Sequence, residues 1–181
     1  MPKTLMMIVA VLALATTANA QNKKTDEAVI SKGSLHPEMT VAKDAGSYQK
    51  PVSTLGEKTE HEWTATTNAA AVGGKPNPGK SVTVTGEIID LSCYLQLGKH
   101  GEKHVACGKK CLTNGQPIGL LDKNGGVYML MEEEHDPRRD GQVAGFRKAA
   151  IEHFGHIMQI NGTESTVKGY RAIYVQGFAS K

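Results

Sequence analysis

The feature that most constrains the fold is a strand that changes phase at a glycine. Ser81–Tyr94, SVTVTGEIIDLSCY, starts as an alternating strand, with Val82 and Val84 on one side and Thr83 and Thr85 on the other. After Gly86 the apolar positions double, with Ile88-Ile89 followed by Leu91 and Cys93. A glycine at a phase change predicts a β-bulge that bends one long strand across two faces. Such a strand belongs in a small curled sheet.

The elements after it have a legible order. Asn114-Gly115 is a turn and Gln116–Asp122 a second short strand. Lys123–Gly126, KNGG, is a hairpin signal, and Gly126–Glu132 the third strand. Gln142–Phe154 is predicted to be helical because Val143, Phe146, Ala150 and Phe154 recur at spacings of three or four, and Gly155 can end the helix. His156–Gly162 and Tyr170–Phe178 are the fourth and fifth strands, joined through the ESTVKG turn. The order β-β-β-α-β-β is that of a mainly β, five-stranded OB-like barrel with one helix between strands three and four, here over residues 81–181.

What precedes the barrel has another character. MPKTLMMIVAVLALATTANA carries Lys3, an apolar run and Ala18-Asn19-Ala20, the pattern of a signal peptide over residues 1–20 with cleavage before Gln21. The run is shorter than a bilayer of about 30 Å requires, so the expectation is a periplasmic or secreted protein with no membrane span. Residues 21–80 show neither a period of 2 nor of 3.6 and are expected to form a disordered tail or linker. His36, Met39, His61 and Trp63 fall in it as scattered side chains. Loss of Lys3 leaves a nearly neutral chain, which with export and few aromatics argues against nucleic acid as a partner.

All three cysteines lie in one stretch, Gly86–Leu121. Gly101–Leu112 is expected to form about three helical turns, on which His100, His104, Cys107 and Cys111 make one stripe. Lys99, Lys103, Lys109 and Lys110 lie mostly off the stripe and are expected to favour thiolates. With Cys93 at the end of strand one, the metal ligands expected are Cys93, His104, Cys107 and Cys111. Two neighbouring types of ion suit such a set, zinc and copper as Cu(I). Asp90 is the expected outer partner orienting a ligand. The competing reading is a disulfide from Cys93 to Cys107 or Cys111, leaving one free thiol in an exported module that binds another exported protein or polymer. No second set of polar residues with fixed spacing points to catalysis. Glu132–Asp136 reads as a solvated acidic run, and His153 with His156 as a pair at ligand-like spacing that the dipole of a helix C-terminus equally accounts for.

The pattern of Gly86, Asp90, Cys93, Tyr94, His104, Cys107, Cys111, Gly115, Pro117, Gly119, Leu120 and Leu121 resembles a group of uncharacterised exported bacterial proteins with an OB-like domain. The resemblance covers about the first third of the ordered part. It implies a shared architecture and no particular activity.

Overall fold

In the computed structural model, residues 40–132, 134–135, 142–175 and 177 are described. Residues 1–39, which include His36 and Met39 and the expected signal peptide, and Glu133, Asp136 and Phe178 lie outside them.

Six strands form one sheet: β1 (Thr54–Leu55), β2 (Gly79–Asp90), β3 (Ile118–Asp122), β4 (Val127–Met131), β5 (Ile157–Val167) and β6 (Tyr170–Val175). Their order is β1-β5-β2-β3-β4-β6, and a β5–β6 pairing closes the last five into a barrel. All neighbours in the ring are antiparallel except β4 and β6, which run parallel. Together with helix α4 (Gln142–Glu152) between β4 and β5, this is the OB-like arrangement that the sequence predicts, with β1 added in parallel to the edge of β5. Phe146, Ala150 and Phe154, three of the four residues that predict the helix, are fully buried in the core with Ile88, Leu120, Leu130, Ile160 and Ile173.

Gly86 is the pivot, but not through a bulge. It pairs with Met158 on β5 and with Asp122 on β3, and the register on both sides runs without an inserted residue. A Cβ at this position would stand 2.7 Å from the Leu120 side chain and from the Leu121 carbonyl. The missing side chain therefore lets three strands converge, and every residue from Gly86 to Asp90 is buried. The hairpin between β5 and β6 is also tighter than expected. Lys168 and Gly169 both have positive φ, 48° and 88°, the signature of a two-residue type I′ turn, so Glu164–Val167 continue the strand.

The expectation of a disordered tail over residues 21–80 needs correction from residue 40 onward. Val52 donates to the Ile157 carbonyl at 2.9 Å, Ile157 donates to Ala45 at 2.8 Å, and Gln159 donates to Ser53 at 3.0 Å. Ala42, Ala45 and Leu55 are buried. Thr64 then caps the short helix α1 (Ala65–Ala70), and its hydroxyl also donates to the buried Glu134 at 2.9 Å. Trp63 packs edge-on against Tyr174 at 5.3 Å, and its indole N–H donates to the Asn77 carbonyl at 2.8 Å. Backbone pairing and single anchors hold this segment, so it needs no apolar period. Trp63→Ala should cost about 2 kcal/mol in urea unfolding, from the lost aromatic pair and half-buried indole. A free energy unchanged within error would mean that the segment is not docked on the barrel.

Candidate metal centre

β2 ends in a helix N-terminus. Asp90 sits at the cap, where its Oδ1 accepts from Ser92 N at 3.0 Å and Cys93 N at 3.3 Å, and it starts α2 (Leu91–Leu97). Cys93 therefore lies in the first turn of a helix rather than on a strand end. The extended reading fails because a capping aspartate satisfies the amides that a strand would have paired across the sheet.

The expected stripe is broken as well. Gly101, with φ of 68° and ψ of −164°, separates His100 from the helical part. A single 3-10 turn (Glu102–His104) leads into α3 (Val105–Thr113). A Cβ at Gly101 would overlap the Thr40 carbonyl, which accepts from Glu102 N at 2.9 Å. Cys107 and Cys111 remain one turn apart on α3, Cys107 exposed and Cys111 half-buried.

The fold brings Asp90, Cys93 and Cys111 together. One donor atom from each lies within 4.8 Å of the other two, a group that can hold a metal ion. Asp90 is fully buried, not the solvated strand-end carboxylate that its position in the sequence allows, and its Oδ2 has no hydrogen-bond partner among the described residues. It thus stands within ligand reach rather than behind a ligand. All three cysteines are free thiols. His104 lies outside the three-residue group. It is buried, edge-on to Phe154 at 5.6 Å, and its Nε2 also lacks a partner among the described residues. Burial pushes its pKa down, the Asp90 carboxylate opposes this, and Lys99 and His100 add to it. A neutral imidazole with a free lone pair is the form that binds metal.

Cys93 and Cys111 are not predisposed to ionise, contrary to the expectation drawn from the lysines. Burial, then the Asp90 carboxylate, push Cys93 up to about 12, and Cys111 contributes further. Cys111 is raised for the same two leading reasons, with Cys107 beside it adding to the shift. Without a cation, two neutral thiols lie against a carboxylate. A metal ion would reverse that balance by displacing the thiol protons.

Glu87 is a site residue that sequence patterning misses. It is fully buried, its Oε1 accepts from Gly101 N at 2.6 Å, and its Oε2 stands 3.0 Å from His100 Nδ1. The available signal is a charge set directly against the Ile88-Ile89 pair. It fixes the loop that delivers His104. The other support is Gly108, where α3 lies directly on the buried Phe154 ring; a Cβ there would overlap the ring. Gly108→Ala would add helix propensity of at most about 1 kcal/mol. Overpacking costs about 1–3 kcal/mol and should win. The expected net loss, about 1–2 kcal/mol by urea unfolding, should be largely relieved in the Gly108→Ala/Phe154→Leu double variant. A stabilised single variant would show that α3 does not rest on the Phe154 ring.

No helix among the described residues is long and apolar enough to cross a membrane. Comparisons with protein-family models, curated proteins and solved structures find no match to this chain.

Proposed function

We propose that the protein is an exported, non-enzymatic metal-binding domain. Its barrel holds a soft or borderline ion at Asp90, Cys93 and Cys111, with His104 and Cys107 as the residues that complete the set. The observation that carries this reading is the convergence of two thiols and a fully buried carboxylate, one donor atom from each within 4.8 Å of the other two. Burying a carboxylate and leaving one oxygen unpaired is costly unless something cationic meets it. Mixed sulfur and oxygen donors, with an imidazole at hand, suit zinc; Cu(I) prefers the thiolates alone, which makes it the second choice. The N-terminal signal pattern supports export.

The test is metal analysis of the full chain purified from its own compartment without chelators, together with a free-thiol count. Bound zinc that falls by about one equivalent on Cys93→Ser and on Cys111→Ser is the expected result. A metal-free protein that does not take up zinc, with a single titratable thiol, would sink the proposal. That outcome would favour the second reading, a Cys93–Cys111 disulfide stapling an interaction module, which the closeness of the same two side chains supports.

A further inference from the structure

The turn between α4 and β5 carries two histidines on a backbone fixed from both sides. His156 N donates to the His153 carbonyl at 3.0 Å, and Gly155, with φ of 79°, makes the turn. Gly155 N donates to the Ile88 carbonyl at 2.9 Å, and Ile88 N donates to the His156 carbonyl at 3.1 Å. The turn is thus stitched to β2. The two imidazoles face each other with their Nδ1 atoms 3.4 Å apart and ring centroids 5.7 Å apart.

That separation decides between two explanations. A good hydrogen bond from a ring N–H has its atoms about 2.9–3.0 Å apart. Two nitrogens on one tetrahedral zinc, each at 2.0–2.1 Å, are about 3.3 Å apart. The observed pair matches the second geometry better than the first.

Ile157 N donates to the Ala45 carbonyl at 2.8 Å, which holds the preceding segment against the start of β5. We propose that His153 and His156 chelate a divalent transition-metal ion such as zinc through their Nδ1 atoms. This second centre is separate from Asp90, Cys93 and Cys111 and does not depend on them. Both rings are half-buried and reachable. The pKa of His156 is pushed down by burial first, then by His153 and Lys109, with the Asp44 carboxylate opposing, so the ring favours its ligand form. Lys109 is the cation that works against an ion here, and its ammonium is held by the Glu152 carbonyl at 3.1 Å.

The test is zinc chloride titrated into the nitrogen-15-labelled full chain, followed by the histidine ring signals. Zinc should shift the Nδ1 signals of His153 and His156 together and leave both ring protons on Nε2. His153→Gln should weaken the response of His156 by at least about tenfold in affinity, and His156→Gln should do the same to His153. Lys109→Gln should tighten binding, and His61→Gln should change nothing. Ring signals of the pair unmoved at about 1 mM zinc, or one histidine responding equally well without the other, would overturn the proposal. Because the ring signals of these two residues are read directly, the result is independent of whether the thiol group also holds metal.

Discussion

Asp90→Asn should lower zinc affinity by about 100-fold while leaving the metal-free protein almost as stable as the parent. The two halves of that expectation come from two oxygens. Oδ1 caps α2, and asparagine caps a helix about as well as aspartate. Oδ2 is buried and takes no part in the cap, and the charge of the carboxylate that stands beside the thiols is what the substitution removes. Two effects on binding then compete. Without the carboxylate, Cys93 and Cys111 should titrate lower, because Asp90 is the second cause of their raised values after burial, and protons would compete less with the metal. Against this, a divalent ion loses attraction to an anion about 4 Å away, worth about 8 kcal/mol at an effective dielectric of 20 before desolvation is deducted. One pKa unit is worth only about 1.4 kcal/mol. The Coulomb loss should prevail.

The pH dependence has a definite sign. Each thiol that must lose a proton makes the affinity rise with pH, until the solution passes the pKa of that thiol. With Cys93 at about 12, the rise should continue through the whole neutral range. Calorimetry in buffers of different ionisation enthalpy should show about two to three protons released per zinc at this centre, one from each ligating thiol. For the metal-free protein the sign is opposite. The raised Cys93 value stabilises the fold below the ordinary thiol value of 9.0, and that contribution is lost as pH climbs from there toward about 12. Equal zinc affinity in the parent and Asp90→Asn would remove Asp90 from the centre. Asp90→Ala is the complementary variant and should also lose about 1 kcal/mol of stability with the cap.

The barrel was legible because its signals are local and repeat. Val82 and Val84 alternate, KNGG marks a hairpin, and Phe146, Ala150 and Phe154 return at helical spacing; each sits where the pattern puts it. The site was legible in composition but not in geometry. Cys93 and Cys111 do converge, yet reading Ser81–Tyr94 as one continuous strand hides a helix cap at Asp90 and puts its carboxylate behind the ligands. Asp-Leu-Ser-Cys reads equally as the start of a helix, and only the three-dimensional pairing of β2 with β3, which stops at Asp90, decides between the two. Residues 40–80 were missed for a different reason. They dock through main-chain bonds and small residues such as Ala42 and Ala45, which leave no period in the sequence. Glu87 was missed because periodicity reports apolar faces and is silent about a buried charge whose partners lie 13 and 14 residues further along the chain.

Glu87 is also the residue whose truncation should harm the fold most. Glu87→Ala would leave His100 Nδ1 and the Gly101 N–H buried with no acceptor, and each stranded donor costs about 1–3 kcal/mol. The expected loss in urea unfolding is about 3–5 kcal/mol, the range for removing one member of a buried polar or ionic pair. Glu87→Gln separates the hydrogen bonds from the charge. Its amide oxygen can still accept from Gly101 N, while its amide nitrogen becomes a donor facing Nδ1, so the ring proton should move from Nδ1 to Nε2 of His100. Nitrogen-15 spectra of the imidazole read that exchange directly, and the stability loss should be well below that of Glu87→Ala. The metal centre feels the same change, since Gly101 begins the turn that carries His104 into the interior. Glu87→Ala should therefore weaken zinc binding in proportion to its loss of order in residues 100–104, and Glu87→Gln much less. An alanine variant within about 0.5 kcal/mol of the parent would show that the loop holds without Glu87, and that the convergence at Asp90, Cys93 and Cys111 has its support elsewhere.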